Sequence, residues 1–372
     1  MIWQRYLFAV LVACVATGPA AAETVLPPIR HVFVIVLENS SYSETFGPHS
    51  LGPYLAKELP RQGALLENYY AIGHSSLDNY IAMISGQPPN EDTQEDCGLY
   101  SDFVFRKPGL DAKGRAIGHG CVYPSFVPTL PAQLDAAHLS WRGYMEDMGK
   151  DPARESATCG HSQVGSRENL LIATHKDEYA VKHNPFMYFH AIIDRQAYCD
   201  AHVVNFDALK TDLRSIASTP NFSYIVPNLC HDGHDSPCID QAPGGLLSSD
   251  PFLMKLIPTI LNSPAFRKDG LLIVTLDEAG SDSRSDSDAC CGEEPMPGAK
   301  FPPGGNGPGG GRIGAVVLSP FIEPGTVSQQ PYNHYSLLRS IEDIFGLKHL
   351  ALAAGTKVKS FGTDVFTKTS NH

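Results

Sequence analysis

The sequence has little charge, no basic excess and, beyond its first residues, no long apolar run. Charged residues make up 18% of the 372-residue chain and hydrophobic residues 42%, a globular balance that argues against intrinsic disorder. The formal net charge of −12 is the opposite of a nucleic-acid-binding footprint, so it argues against nucleic acid as a partner. No later segment is long and apolar enough to predict a membrane span.

The first 22 residues have the pattern of an export signal. A short apolar run at 7–15 is followed by three alanines at 20–22, which suit cleavage by a signal peptidase. The residues that end at Cys14 also fit a lipoprotein signal, which would anchor the protein at that cysteine. We therefore expect a secreted or periplasmic protein with a mature chain of residues 23–372, lipid anchoring being the alternative.

The predicted mature chain has an even number of cysteines. They are Cys97, Cys121, Cys159, Cys199, Cys230, Cys238, Cys290 and Cys291. An even count in an exported chain predicts disulfides, whose connectivity the sequence leaves open. Local bridges at 97–121 and 230–238 are plausible. Cys290 and Cys291 form an unusual vicinal pair. A cysteine-rich metal site is the alternative, but the chain contains no CxxC spacing to support it.

Apolar runs alternate with helical patterns, which predicts an α/β fold. The predicted strands are 31–37, 222–226, 271–276 and 313–318, and the clearest helices are 53–61, 77–84, 129–138, 250–261 and 333–345. Such continuous apolar runs suit strands covered on both faces, as in a parallel sheet. We predict a single domain across residues 23–372, with insertions near 90–128 and 150–215.

Polar side chains follow three of these strands. They are Glu38 and Asn39 after the first, Asp232 and His234 after the second, and Asp277 and Glu278 after the third. Ligands bind outside the carboxyl ends of strands in open α/β sheets, so we expect these residues to converge. Their oxygen and imidazole groups suit a divalent cation that would polarise a phosphoryl oxygen. Turn and helix-cap roles are the alternative for each residue alone.

Two further residues lie where helices are predicted to begin. Ser76 is placed as an N-cap, where backbone N–H groups favour an anion such as phosphate and where its hydroxyl can act as a nucleophile. Asn79, one turn later, is placed to donate to a phosphoryl oxygen. His334 opens another helix as a candidate general acid or ligand. Ordinary capping is the alternative for Ser76 and His334.

In this order, these motifs resemble those of the bacterial and fungal phosphoesterase family, which includes secreted acid phosphatases and phospholipases C and looks like a branch of the alkaline phosphatase superfamily. The matching segments are Glu38-Asn39 with Phe46-Gly47, 74–80, Pro227-Asn228 with 232–235, Asp277-Glu278 and the helix at His334. The resemblance covers nearly all of the predicted mature chain. It implies an alkaline-phosphatase-like three-layer sandwich, with a largely parallel sheet flanked by helices and with disulfide-bearing insertions.

The resemblance also implies a mechanism, the metal-assisted double-displacement hydrolysis of a phosphate ester. Ser76 and Asn79 match the Ser and Asn of the family pattern His-Pro-Ser-x-Pro-Asn-Tyr, in which Ser is the nucleophile. Ser75 and Asp78 replace the two prolines, and this makes Ser75 a rival nucleophile.

The implied roles divide the polar residues into two groups. By resemblance, Glu38, Asn39, Asp277 and Glu278 contact a divalent metal or phosphate, whereas Asp232, His234 and His334 contact phosphate or serve as acid and base groups. The favoured function is an exported phosphomonoesterase. The alternatives are a phospholipase C or phosphodiesterase acting on lipid headgroups, and a non-catalytic exported protein that binds a phosphate ligand in the same cleft.

Overall fold

The computed structural model describes residues 26–280 and 286–368, so the predicted signal segment with Cys14 lies outside the described residues. The described strands are β1 (His31–Leu37), β2 (Ala64–Leu66), β3 (Tyr69–Tyr70), β4 (Leu99–Tyr100), β5 (Val104–Leu110), β6 (Ala116–His119), β7 (Trp141–Met145), β8 (Ser166–Arg167), β9 (Val203–Asn205), β10 (Phe222–Val226), β11 (Gly270–Leu276), β12 (Ala315–Leu318), β13 (Thr326–Ser328) and β14 (Tyr332–Asn333). The α-helices are α1 (Tyr42–Thr45), α2 (Ser76–Ser85), α3 (Leu130–Ala136), α4 (His190–Ile193), α5 (Gln196–His202), α6 (Leu209–Asp212), α7 (Gly245–Leu261), α8 (Pro264–Asp269) and α9 (His334–Phe345). Shorter turns are the π-helical Tyr54–Glu58 and the 3₁₀ segments Thr93–Glu95, Val181–His183, Pro185–Tyr188, Phe206–Ala208 and Ala351–Ala354.

An eight-stranded sheet forms the centre, in the order β13-β2-β12-β11-β1-β10-β7-β9. Within it, β12 runs antiparallel to both neighbours, while the other pairings are parallel. Val34 of β1 lies opposite Tyr224 of β10 and Ile273 of β11. Every residue of these three strands is buried, as expected for parallel strands covered on both faces.

Helices cover the two faces of this sheet. On one face, Tyr80 of α2 makes an edge-on contact with Tyr224, and α9 packs against α2. Phe33 precedes Val34 in β1 and therefore points to the opposite face, where its ring meets Phe266 of α8. The result is a three-layer α/β sandwich with a largely parallel sheet, which confirms the predicted fold class.

The predicted strands correspond to β1, β10, β11 and β12, and the predicted helices to α2, α3, α7, α9 and the π-helical turn. Strand β9 differs from expectation, because it lies inside the proposed insertion 150–215 and yet forms an edge of the sheet beside β7. Three residues are too few to show a strand periodicity.

None of the helices in the described ranges combines the length and the apolar character that a membrane crossing requires.

Four disulfides join the eight cysteines of the described chain. They are Cys97–Cys121, Cys159–Cys199, Cys230–Cys238 and the vicinal Cys290–Cys291. The two local bridges that the sequence makes plausible are confirmed. Since each sulfur is bonded to another sulfur, these cysteines offer no thiolate to a metal, even where a carboxylate lies nearby.

Candidate active site

Three neighbouring strands deliver polar residues to one edge of the sheet. Strands β11, β1 and β10 are adjacent and parallel, so their carboxyl ends meet. Glu38 directly follows β1 and is fully buried, and its backbone N–H donates to the Asp232 carbonyl at 2.7 Å. The N–H of Asp277 donates to the Leu37 carbonyl at 2.8 Å. Backbone bonds thus fix the segments that carry the three groups of polar side chains.

Ser76 joins helix α2 to this edge. Ser75 has extended backbone and is the N-cap of α2, so Ser76 is the first helical residue rather than the cap. The Ser76 Oγ donates to Glu38 Oε2 at 2.9 Å, and Ser76 is buried. The Ser75 hydroxyl instead donates to the Gln94 carbonyl at 2.7 Å. Of the two candidate nucleophiles, Ser76 is the one that faces the carboxylates.

The Glu38 carboxylate contacts three other side chains of the site, those of Ser76, Tyr80 and His183. Its Oε1 accepts from the Tyr80 hydroxyl at 3.0 Å and lies 3.1 Å from His183 Nε2. The Tyr80 and His183 rings stack with centroids 5.3 Å apart. Burial tends to raise the pKa of Glu38, but attraction to His183 and Lys182, with hydrogen bonds from His183 and Ser76, lowers that pKa to about 2. Glu38 is therefore ionised at any physiological pH.

The Lys182 ammonium lies beside the Ser76 hydroxyl. Its Nζ lies 3.4 Å from Ser76 Oγ and 3.1 Å from Asp96 Oδ2. Burial tends to lower the pKa of Lys182, but the carboxylates of Asp96 and Glu38 raise it above its usual value. Asp96 Oδ1 also accepts the Leu77 N–H at 3.0 Å, at the start of α2. The serine hydroxyl thus lies between a buried carboxylate and a charged ammonium.

Asn39, Glu278 and His74 form a second group beside Glu38. Asn39 Nδ2 donates to Glu278 Oε1 at 2.7 Å, and His74 Nδ1 lies 3.5 Å from Glu278 Oε2. Burial raises the pKa of Glu278 to about 7, against the opposing effect of His74. Burial lowers the pKa of His74, yet attraction to Glu278 raises it overall. The pair thus holds an imidazole against a carboxyl group whose charge depends on pH.

Two aspartates each leave one buried oxygen without a hydrogen-bond partner among the described residues. Asp277 Oδ1 accepts the Glu278 N–H at 2.6 Å, while its Oδ2 has no partner. Asp232 Oδ1 accepts the His234 N–H at 2.8 Å, and its Oδ2 is likewise unpaired. Burial and repulsion from Glu38 raise the pKa of both carboxyl groups well above the usual range. Carboxylates crowded in this way need either protons or a cation.

The donor chemistry of this cluster fits a divalent cation. Glu38, Asp277 and Glu278 could supply carboxylate oxygens, and Asn39 its amide oxygen. Asp277 and Glu278 each have a buried oxygen with no hydrogen-bond partner among the described residues. The carboxylates are not gathered into a closed shell. Among the described residues, three His, Cys, Asp or Glu ligand atoms lie within 4.8 Å of one another only at two of the disulfides.

Two of the predicted site residues lie behind Ser76 and the buried carboxylates. His334 is fully buried, and its Nε2 bonds the Asp277 carbonyl at 2.6 Å while its Nδ1 lies 3.1 Å from the Tyr69 hydroxyl. Burial lowers its pKa to about 4, so the ring is neutral at physiological pH. With both ring nitrogens engaged, the neutral imidazole positions Asp277, which differs from the expected acid, base or phosphate contact.

Asn79 also supports the site from behind. Its Oδ1 accepts the N–H groups of Ile72 and Gly73, and its Nδ2 donates to the carbonyls of Gly73 and Ser75, all at 3.0–3.1 Å. The amide is thus committed to the loop before α2 rather than to a phosphoryl oxygen. Its hydrogen bonds set the path by which the chain arrives at Ser76.

Asp78, which stands where the resemblance expects proline, is buried beside that loop. Neither of its oxygens has a hydrogen-bond partner among the described residues. Burial, with repulsion from Glu278 and Asp96, raises its pKa well above the usual range, which favours a neutral carboxylic acid. Gly73 permits this packing, because a Cβ there would lie 2.1 Å from Asp78 Oδ1.

His234 occupies the open side of the site. Its side chain is 46% exposed, and with Asn39, His49 and Leu246 it lines a cavity of about 590 Å³. The cavity reaches from the residues after β1 to those after β10. Among the predicted acid and base groups, His234 is the one accessible to a ligand in this cavity.

Sequence reasoning missed Tyr80, Asp96, Lys182 and His183. Tyr80 had a usable signal, because it lies four residues after Ser76 and therefore on the same face of α2. Lys182 and His183 belong to a 3₁₀ turn inside the proposed insertion 150–215, where no periodicity pointed toward the sheet. Asp96 lies in a turn whose direction depends on left-handed backbone, with φ of 50°.

Fold and site together define an α/β protein with a serine at a helix start facing carboxylates at the sheet edge. The sequence profile described as the phosphoesterase family matches residues 51–348. This match covers most of the chain, which therefore belongs to the phosphoesterase family.

The curated relatives carry phosphatase names. The "Phosphate-repressible acid phosphatase" of Penicillium chrysogenum is 28% identical over 341 residues, which cover 89% of this chain and 65% of that protein. The "Phosphatidylinositol-3-phosphatase" of Mycobacterium tuberculosis is 24% identical over 326 residues, covering 88% of this chain and 80% of that protein. The chain spans 55–65% of the length of the first three fungal relatives.

A solved structure shows a more distant likeness. It is described as a protein in the alkaline phosphatase superfamily from Vibrio parahaemolyticus, and it matches with a TM-score of 0.49 and 13% sequence identity. The match covers 86% of this chain and 67% of that chain.

Proposed function

We propose that the protein is a phosphate monoesterase that uses Ser76 as its nucleophile. The observation that carries this proposal is the buried Ser76 hydroxyl, bonded to Glu38 and placed 3.4 Å from the Lys182 ammonium. A hydroxyl whose proton is directed at a carboxylate keeps an oxygen lone pair free for attack on phosphorus. The phosphatase names of the curated relatives support the same class of reaction.

The reaction proceeds in two displacements. In the first, the bond from Ser76 Oγ to phosphorus forms as the ester oxygen–phosphorus bond breaks, and the proton lost by Ser76 is balanced by the one gained by the leaving alcohol. In the second, water attacks the phosphoserine, phosphate leaves and Ser76 regains its proton. We assign to His234 the exchange of protons with the alcohol and then with the water, because its imidazole is accessible.

Glu38, Asn39, Asp277 and Glu278 are the residues that would hold a divalent cation. Such a cation supplies charge neutralisation for the phosphoryl oxygens and lowers the pKa of a bound hydroxyl. His183 and Tyr80 fix the Glu38 carboxylate in both displacements, and His334 fixes the backbone of Asp277. Asp232 borders Glu38 from the β10 side, where a proton or a cation must offset its charge.

A monoester is the substrate class that the comparisons favour. The named activities of the relatives are acid phosphatase and phosphatidylinositol phosphatase, so the substrate includes small phosphate esters and phosphorylated lipid headgroups. Nothing favours the phospholipase C alternative. Four disulfides support an oxidising compartment, in keeping with the proposed export.

The test is turnover of p-nitrophenyl phosphate by the purified protein and by two matched variants. Ser76→Ala should lower kcat about a thousandfold, because the attacking oxygen is lost. Ser75→Ala should retain most of the activity, since that hydroxyl faces Gln94. Trapping of labelled phosphate on the protein after an acid quench, lost in Ser76→Ala, would establish the covalent intermediate. Full activity of Ser76→Ala would rule the mechanism out.

A further inference from the structure

The turn that carries Asp96 places a carboxylate against the start of α2. Asp96 accepts from two donors, the Lys182 ammonium at 3.1 Å and the Leu77 backbone N–H at 3.0 Å. Both donors adjoin Ser76, since Lys182 Nζ lies 3.4 Å from its Oγ and Leu77 is the next residue. The oxygens of a phosphoryl group bonded to that Oγ come within reach of the same two donors. An ammonium and a helix N-terminal N–H are typical phosphate contacts.

The backbone of this turn is firmly held. Asp96 and Cys97 both have left-handed backbone, with φ of 50° and 55°, an uncommon arrangement for two successive residues other than glycine. The Cys97–Cys121 disulfide anchors the turn, and Ser75 Oγ bonds the Gln94 carbonyl at 2.7 Å. The chain therefore fixes the position from which the Asp96 carboxylate reaches the site.

The Asp96 side chain borders water. It is 25% exposed, so solvent can replace its two donors when another anion binds them. Lys182 is 19% exposed and lies beside Ser76, where its ammonium can pair with either a carboxylate or a phosphoryl oxygen. A phosphoryl group on Ser76 and the Asp96 carboxylate thus compete for one pair of donors.

We propose that Lys182 and the Leu77 N–H bind the phosphoryl group on Ser76, and that Asp96 is a competing carboxylate that weakens the binding of phosphate. This inference rests on the proposed function, because it takes Ser76 as the point of attack. Asp96 re-forms its two bonds as the phosphate departs, which favours release of the product. An enzyme built in this way is weakly inhibited by inorganic phosphate.

Calorimetric titration of the purified protein with inorganic phosphate tests the proposal, because the two variants should shift affinity in opposite directions. Asp96→Asn retains an oxygen for the Leu77 N–H but loses the charge, so the Kd for phosphate should fall about tenfold. Lys182→Met removes the cation, so the Kd should rise about tenfold or more, and Lys182→Arg should restore much of the affinity.

Matched controls come from the same parts of the chain. Asp92→Asn alters an acid of the same turn, but one that pairs with His119 at 2.8 Å instead. Lys176→Met removes an exposed lysine that lies 4.0 Å from Asp151. Both controls should leave the Kd for phosphate within twofold of the unchanged protein. Asp96→Ser and Lys182→Gln serve as second variants if either main substitution lowers the melting temperature.

The outcomes separate this inference from the proposed function. Weaker or unchanged phosphate binding by Asp96→Asn, unchanged binding by Lys182→Met, or no binding by the original protein would overturn the inference. Opposite shifts support the competition between Asp96 and phosphate for the two donors. If p-nitrophenyl phosphate is nevertheless not hydrolysed, the proposed function fails, and with it the part of the inference that places a phosphoryl group on Ser76. Turnover that depends on Ser76, with phosphate affinity unaffected by either variant, would leave the function in place and reject the competing role of Asp96.

Discussion

The Ser76 hydroxyl donates to the Glu38 carboxylate across 2.9 Å, which joins the first residue of α2 to the residue that follows β1. The two are 38 positions apart in sequence, and both are buried. The other Glu38 oxygen is occupied by Tyr80 and His183. A carboxylate held from both sides keeps a fixed orientation, and it therefore orients the serine proton as well.

Glu38→Gln should lower kcat for p-nitrophenyl phosphate by about a hundredfold or more, because a neutral amide lacks the charge that orients the Ser76 proton and that would hold a cation. With a pKa near 2, Glu38 is ionised at and above pH 4, so its own protonation should not limit activity there. The matched control is Glu58→Gln on the surface, where Glu58 pairs with Arg61 and activity should be unchanged. Near-normal kcat in Glu38→Gln would show that the hydrogen bond to Ser76 is dispensable.

Removal of divalent cations by a chelator should abolish most of the activity and lower the melting temperature by several degrees. Glu38, Asp277, Glu278 and Asp232 are buried close enough to repel one another, so loss of a bound cation would leave their charges uncompensated. Scanning calorimetry before and after chelation, with metal content measured in parallel, checks this expectation. Re-addition of a divalent cation should restore both properties.

The Asp277→Asn variant provides the control for that experiment. The chelator should lower the melting temperature of this variant less than that of the original protein, because the variant lacks the Asp277 carboxylate that would bind the cation. Full activity and an unchanged melting temperature in a protein shown to be metal-free would contradict the assignment of these carboxylates to a cation, while leaving the Ser76 chemistry open to its own test.

The sequence pattern predicts the part of the site that the sheet assembles. Glu38 and Asp277 each follow a continuous apolar strand, and neighbouring parallel strands must bring their carboxyl ends to one edge. Lys182 and His183 reach the same place from a 3₁₀ turn, whose direction depends on packing rather than on periodicity. The position of Asp96 depends on a left-handed turn that no local sequence pattern predicts. Tertiary packing decides the positions of Lys182, His183 and Asp96, and for this reason the sequence alone does not reveal them.

His334 and Asn79 illustrate a second limit of sequence reasoning. Both residue types suit catalysis, and both lie at or near a helix start, but the structure uses their polar atoms to hold backbone at Asp277 and at the loop before α2. A hydrogen-bonding side chain looks the same in sequence whether it faces a ligand or a buried carbonyl. Only the direction of the side chain separates the two roles.

A buried carboxyl pair away from the site predicts how stability depends on pH. Glu155 has no exposed side-chain area and lies beside Asp177, which is equally buried. Burial, with repulsion from Asp177, raises the pKa of Glu155 from 4.5 to about 8, against the opposing effects of the Gly149 N–H and of Arg154. The folded protein thus keeps a proton that the unfolded chain releases above about pH 4.5. Stability from this group is complete below pH 4.5 and is lost as pH rises toward 8.

Denaturant unfolding between pH 5 and pH 8 measures this effect. The contribution of Glu155 to the free energy of unfolding should fall by about 1.4 kcal/mol per pH unit at most. Glu155→Gln mimics the protonated group and should remove that slope, whereas Glu323→Gln on the surface should leave it unchanged. Equal pH slopes for the original protein and Glu155→Gln would show that Glu155 is ionised in the folded state.

Asn79→Ala should lower the free energy of unfolding by about 2 to 4 kcal/mol, because it removes four hydrogen bonds to buried backbone in the loop that leads to Ser76. Asn79→Asp keeps the acceptor but turns a carboxylate oxygen toward the carbonyls of Gly73 and Ser75, so its loss should be at least as large. The exposed Asn262, which accepts from Arg267, offers a matched Asn→Ala control with a change near zero. Chemical denaturation measures the free energy of unfolding of the two Asn79 variants and of the Asn262 control. A phosphate contact would give the reverse pattern, since Asn79→Ala would then weaken phosphate binding while the free energy of unfolding stayed unchanged.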